Sequence, residues 1–159
     1  MRLAIISDTH MPSGGRVLPV AHLRIADAIL HAGDLMEASV LDELQALGPP
    51  VHAVRGNVDS AVLQARLPLT AVVSAAGARI AMIHDAGPAA GRLDRMRRRF
   101  PDADAVVFGH SHIPLHEERD GFQIFNPGSP TERRRSPHHT MGFATVDHAR
   151  ITFARLNLD

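Results

Sequence analysis

The chain has no cysteine, no lysine, no tryptophan and no tyrosine among its 159 residues. Without cysteine there is no disulfide, no thiolate zinc site, no iron–sulfur cluster and no cysteine nucleophile. Without lysine there is no Schiff-base chemistry and no lysine of a Walker-type phosphate loop. All 17 basic residues are arginine, and 17 acidic residues balance them to a formal net charge of zero. That balance argues against bulk binding of nucleic acid or of an anionic membrane. Long apolar runs are also missing: none could span a bilayer, and the Met1–Asp8 stretch reaches a carboxylate too soon for a signal peptide. These absences leave the expectation of a cytoplasmic protein with one domain over residues 1–159. Hydrophobic residues at 45% are enough for a core, and 21% charged residues fit neither a disordered chain nor a coiled coil.

What is present is β-branched apolar runs alternating with helical stretches and Gly/Pro loops. The runs predict strands at Leu3–Ser7, Ala28–Ala32, Val51–Arg55, Thr70–Ser74, Arg79–His84 and Ala105–Phe108, and then at Leu115–Arg119, Phe122–Asn126, Gly142–Asp147 and Arg150–Leu156. The unbroken Leu3-Ala4-Ile5-Ile6 run suits a strand covered on both faces. Ala76-Gly77-Ala78 and Asp120-Gly121 read as hairpin turns. Glu37–Leu47 and Ala89–Phe100 have helical spacing of apolar residues, and a short helix is expected at Ser60–Arg66 with Asp59 as its N-cap. The arginines at 95 and 97–99 are either an anion patch or a solvated helix face. The βαβ start and β-rich second half suggest two packed sheets with helices outside.

Histidine is abundant, with 11 copies, and its placement is informative. Asp8 and His10 follow the first predicted strand, Asp34 the second and Asn57 the third. His84 ends another, and His110 and His112 follow the Ala105–Phe108 run. In a largely parallel sheet such ends share one edge, where loops carry chemistry. Residues two apart in an extended segment point the same way, so Asp8 with His10, and His110 with His112, can each aim at one region. A glycine precedes Asp34, Asn57 and His110, permitting sharp turns and close approach of backbone. Each piece has a plain structural reading by itself: Asp8 as a cap, Gly-Asp and Gly-Asn as turns, His84 as a satisfied core histidine. Together they form a carboxylate, carboxamide and imidazole set suited to Mn²⁺, Fe, Zn²⁺, Ni²⁺ or Co²⁺. A carboxylate with two oxygens can bridge two cations.

In this order the residues D-x-H, GD, GN, H and GH-x-H resemble the calcineurin-like metallophosphoesterase superfamily, and within it the small YfcE-like group of bacterial and archaeal phosphodiesterases. The likeness runs from Ile5 to Asn126-Pro127-Gly128-Ser129. It implies an α/β fold, a four-layer α/β/β/α sandwich, with two divalent metal ions, Mn²⁺ first and Zn²⁺, Fe²⁺ or Ni²⁺ as alternatives. By position, Asp8, His10, Asp34 and His112 would hold one ion, and Asp34, Asn57, His84 and His110 the other. Asp34, Asn57 and His110 are the residues on which catalysis is expected to depend most. The implied activity is hydrolysis of a small phosphate ester, a phosphodiester before a monoester, by a hydroxide between the metals.

Two departures stand out. Val58 occupies the place where larger relatives have a histidine beside the leaving group, so esters with good leaving groups should be favoured. Asp85 follows His84 where relatives have glycine, either supporting a ligand or as a loop carboxylate. Arg133, Arg134 and Arg135 are candidate substrate-binding residues or a solvated loop. His31, His52 and His116 are expected to be structural or to support ligands, and His22, His138, His139 and His148 to lie on the surface. Loops at 11–19, 86–90 and 129–135 should wall the pocket. The competing reading is a non-catalytic scaffold like the retromer subunit, whose metal site is eroded. A metallo-β-lactamase-like hydrolase would continue with Asp-His after the paired histidines, whereas Ile113-Pro114 follows here. A homo-oligomer is compatible with all of this.

Overall fold

The computed structural model describes residues 1–11 and 16–159. Among the described residues, ten strands form two mixed five-stranded sheets. The first holds β1 (Arg2–Ile6), β2 (Ala28–His31), β3 (Val51–Ala53), β9 (Thr140–Asp147) and β10 (Arg150–Asn157), in the order β10-β9-β1-β2-β3. The second holds β4 (Thr70–Ala75), β5 (Ala78–Ile83), β6 (Ala105–Val107), β7 (Leu115–Arg119) and β8 (Phe122–Asn126), in the order β4-β5-β6-β8-β7. Parallel pairs join β1 to β2 and β2 to the edge strand β3 in the first sheet, and β5 to β6 and β6 to β8 in the middle of the second. Antiparallel strands close one flank of the first sheet and both flanks of the second.

The side-chain alternation along each strand explains the layers. Leu3, Ile5 and Leu30 meet Ile80, Met82 and Val107 in a core between the two sheets. The intervening Ala4, Ile6 and Ile29 face outward onto helices α1 (Val20–Arg24), α2 (Ala38–Gln45) and α3 (Ala61–Arg66). On the far side, Ala81, Ile83 and Val106 pack under Leu93 and Met96 of α4 (Arg92–Arg99). Each inner strand is therefore covered twice, as its continuous apolar run predicts. The result is the expected α/β/β/α sandwich.

Local differences have physical causes. The fourth helix begins at Arg92 and not at Ala89, because Gly91 is left-handed at φ 69°. Helix α2 is likewise shorter than the Glu37–Leu47 expectation. Helix α1 was not foreseen; it has five residues and starts after Pro19 with no side-chain cap. The cap of α3 is Ser60, whose hydroxyl accepts from the Leu63 N–H at 3.4 Å. Asp59 is not that cap. Its carboxylate accepts from the backbone N–H groups of Gly56 (2.7 Å), Met36 (2.8 Å) and Asp34 (3.2 Å), tying the loop after β2 to the loop after β3. The two expected hairpins are present, with both turn residues left-handed at Ala76-Gly77 and at Asp120-Gly121.

Candidate metal centre

The loops after β1 and β2 run side by side beyond the sheet. Asp8 N–H donates to Gly33 O (2.9 Å), His10 N–H to Asp34 O (3.0 Å) and Met11 N–H to Leu35 O (3.2 Å). A third loop, after β8, fastens onto the first: Ser129 Oγ donates to Asp8 O at 2.7 Å and Thr131 Oγ1 to Thr9 O at 2.5 Å. Asn126 Nδ2 donates to Gly109 O at 3.0 Å, which fixes the loop after β6. The Asn126-Pro127-Gly128-Ser129 stretch thus braces the backbone that carries the ligand candidates.

Asp8, His10, Asp34, His110 and His112 all have left-handed backbone, with φ of 56°, 44°, 61°, 75° and 61°. They do not lie in extended segments, so the every-second-residue argument is corrected: non-glycine residues held at positive φ turn these side chains inward. Such conformations cost of order 1–3 kcal/mol each and persist where surrounding contacts impose them. Of the preceding glycines, only Gly33 needs its own positive φ (98°). Gly56 and Gly109 serve close approach: a Cβ would lie 2.0 Å from Asp34 Oδ1 in one case and 2.0 Å from Ser7 Oγ in the other.

The carboxylates are oriented by dividing their oxygens. Asp8 Oδ2 accepts from Ser7 Oγ (2.6 Å) and from His110 N–H (3.0 Å), while Oδ1 is buried with no hydrogen-bond partner. Asp34 Oδ1 accepts from Val58 N–H (3.0 Å), and Oδ2 faces His10 Nε2 at 3.3 Å and His84 Nε2 at 3.1 Å. One oxygen of Asp34, not both, therefore looks toward two imidazoles.

The imidazoles are oriented from behind. His84 Nδ1 donates to Ala32 O at 2.8 Å, and His112 Nδ1 to Glu132 O. His10 Nδ1 lies 3.1 Å from the Glu132 carboxylate. All three turn Nε2 toward the same space. His112 is completely buried and its Nε2 has no hydrogen-bond partner. Asn57 Oδ1 stands between His84 Nε2 (3.1 Å) and His110 Nδ1 (3.2 Å).

Burial opposes charge on His10, but hydrogen bonds to Asp34 and Asp8 outweigh it and raise its pKa to about 9. The same contest raises His84, whose main counterweight to burial is Asp34. Asp34 resists its own burial through His10 and His84 and is held far below the usual carboxylate range. His112, with burial dominant, is pushed down. The raised proton affinity of His10 and His84 shows that the carboxylates favour positive charge in the space these rings face.

The donor atoms form two clusters, Asp8–His10–His112 and Asp34–His84–His110, with the atoms of each within 4.8 Å of one another. Orphaned buried atoms at Asp8 and His112, beside an all-oxygen and imidazole donor set, fit divalent cations of the borderline first-row kind. The structure brings together all seven predicted positions, with Asn57 joining the second cluster.

Other expectations divide. Arg133 turns back to Ser136 O (2.8 Å), Arg134 lies 3.8 Å from Glu132, and Arg135 is exposed; the loop that bears them borders the first cluster. Asp85 accepts from Gly87 N–H at 2.8 Å, the loop-carboxylate role. His31 is buried and supports the loops, whereas His52 and His116 are exposed, His116 pairing with Gln123 at 2.8 Å. His138, His139 and His148 pair at the surface with Asp159 or Asp147. The arginines of α4 are only partly solvated: Arg95 donates to the carbonyls of Ala86, Pro88 and Ala90, and Arg92 to Gly87 O. Of the 11–19 loop, residues 12–15 lie outside the described residues. Glu132 was missed by sequence reasoning, since no motif spacing singles it out.

The sequence matches the calcineurin-like phosphoesterase superfamily domain over residues 1–149. The chain belongs to that superfamily. Its members are metal-dependent, and the two clusters stand where this fold gathers its loops. It is 35% identical over 141 residues to a probable metallophosphoesterase of Methanothermobacter thermautotrophicus, covering 84% of this chain and 80% of that one. It is 31% identical over 149 residues to the phosphodiesterase YfcE of Escherichia coli, covering 81% and 79%. In fold it resembles zinc-complexed Vps29 of Entamoeba histolytica, with a TM-score of 0.78, 22% identity and full coverage of both chains. No helix among the described residues of this calcineurin-like chain is long and apolar enough to cross a membrane.

Proposed function

We propose that the protein is a phosphodiesterase that works with two divalent cations, Mn²⁺ foremost, one held by Asp8, His10, Asp34 and His112 and the other by Asp34, Asn57, His84 and His110. The observation that carries this reading is the pair of adjoining donor clusters that share the outlook of Asp34 Oδ2. A cation pair bound there would supply a hydroxide near neutral pH and neutralise charge on the phosphoryl oxygens of a small ester substrate. The chain's own part is orientation. Contacts behind Asp8, His10, Asp34, His84 and His112 hold these side chains before any cation arrives, so little reorganisation of them accompanies binding. The chain provides no imidazole at position 58 to protonate a leaving group; Val58 is 40% exposed and inert. Nitrophenyl diesters should therefore turn over well and alkyl diesters poorly.

The relatives' names support a phosphoesterase, with YfcE favouring diesters. The scaffold reading draws on the Vps29 likeness, which concerns fold alone. The retained ligand set favours the enzyme. The test is hydrolysis of bis(p-nitrophenyl) phosphate and p-nitrophenyl phosphate by metal-stripped protein with and without Mn²⁺. Manganese-dependent cleavage of the diester, lost in Asp34→Asn and His110→Ala, is expected. Binding of two metals with no turnover under Mn²⁺, Zn²⁺, Fe²⁺ or Ni²⁺ would instead support the scaffold. Failure to bind any metal would remove both clusters from consideration.

A further inference from the structure

A cavity of about 390 Å³ opens beside the second cluster and shares Asn57, His84 and His110 with it. Its apolar wall is Leu69, which is half exposed, and the buried Ile83. Its cationic wall is Arg55, from the loop after β3, and Arg99, from the last turn of α4. Arg55 is half-buried and spends one nitrogen on Gln64 O at 3.1 Å. Among the described residues neither guanidinium forms an ion pair with a carboxylate. The remaining polar walls are already engaged. The Gln64 amide nitrogen donates to Gly56 O (2.9 Å) and Asp59 O (3.3 Å), and one Asp85 oxygen accepts from Gly87 N–H. Two arginines against one occupied carboxylate leave the cavity cationic on a molecule whose formal net charge is zero.

We propose that this cavity binds the non-reacting arm of the substrate, and that it selects an arm with an apolar, planar body and a second anionic group. The body lies on Leu69 and Ile83, and the anion takes the free N–H groups of Arg55 and Arg99, whose fork geometry suits phosphate. The proposal rests on the phosphodiesterase reading and adds to it the class of diester: one that carries a further phosphate on one side.

Two probes with the same leaving group test it: the p-nitrophenyl ester of thymidine 5′-phosphate, and the same ester bearing an added 3′-phosphate. With Mn²⁺ the second is expected to have a kcat/KM higher by about tenfold or more, expressed in KM, as charge-assisted bonds to arginine allow. The preference should fall below about threefold in Arg99→Gln and in Arg55→Gln. Arg99 sits on an exposed helix end, so that variant keeps the test valid should Arg55→Gln fold poorly. Calorimetry with thymidine 3′,5′-bisphosphate and metal-free protein reads the cavity without catalysis, and both variants should weaken binding. Equal turnover of the two probes, or a preference that survives in both variants, overturns the proposal. Arginine-dependent binding of the bisphosphate with no diester hydrolysis would keep the cavity and remove the phosphodiesterase reading. Hydrolysis without preference would do the reverse.

Discussion

Glu132 reaches two imidazoles of the first cluster at once, His10 through its carboxylate and His112 through its carbonyl. The main-chain contact survives any substitution, but the side-chain contact does not. Glu132→Ala should therefore weaken metal affinity about 10–100-fold, the usual cost of losing a partner behind a ligand. The loss should fall on one of two sites in a calorimetric titration; equal weakening of both, or of neither, would contradict the assignment. His31 supports a different prediction. Its Nδ1 accepts from Gly33 N–H at 3.1 Å, so the ring is neutral with the proton on Nε2, 3.1 Å from Thr9 Oγ1. Burial lowers its pKa from 6.5 to about 3. Because the folded pKa is the lower one, the stability it contributes is complete above pH 6.5 and is lost as the pH falls toward 3. In chelator, the unfolding free energy of the wild type should exceed that of His31→Gln above neutrality. The gap should narrow by about 1.4 kcal/mol per pH unit below 6.5. A constant gap between about pH 7.5 and 5 would dispose of the argument.

At the scale of elements, strands were the most legible part of the sequence, because a double-sided core demands continuous apolar runs such as Leu3–Ile6, Ile80–Ile83 and Ala105–Phe108. Helix ends were less so. Gly91 delays the start of α4 through a φ that composition alone does not reveal, and the five residues of α1 are too few to show a period. The positions that gather in the two donor clusters were legible because residue type and order suffice to find them. Their left-handed backbone was not, since it is imposed by loops that meet only in the folded chain. Asp59 and Ser60 illustrate the same limit: both residue types cap helices well, and the structure uses the second for the cap and the first to join two loops. Their substitutions should separate. Ser60→Ala removes one N-cap bond and should cost about 1 kcal/mol with the metal centre intact. Asp59→Ala leaves three backbone N–H groups without their acceptor, one of them on Asp34, and should cost about 2–4 kcal/mol together with metal affinity. Comparable losses in the two variants, measured by urea denaturation, would mean that Asp59 does not couple the loops.

At the scale of the molecule, each cluster draws on both sheets. Asp8 and His10 follow β1 in the first sheet, while their partner His112 follows β6 in the second. Asp34 follows β2 in the first sheet, while His84 and His110 follow β5 and β6 in the second. Neither donor set exists unless the sheets are docked through the core that joins Leu3 and Ile5 to Ile80 and Val107. A cation bound at either cluster consequently binds the native state alone and stabilises it by mass action. At about one hundred times the dissociation constant this amounts to about 2.7 kcal/mol per site. For a chain of this length that corresponds to a Tm raised by roughly 5–10 °C. Chelation should lower the Tm by that amount, and added Mn²⁺ should restore it. Asp34→Asn, which alters the one oxygen facing both groups, should lose most of the response. The same Tm with chelator and with Mn²⁺ would mean that the two sheets are held by their apolar core alone and that the clusters do not bind across it.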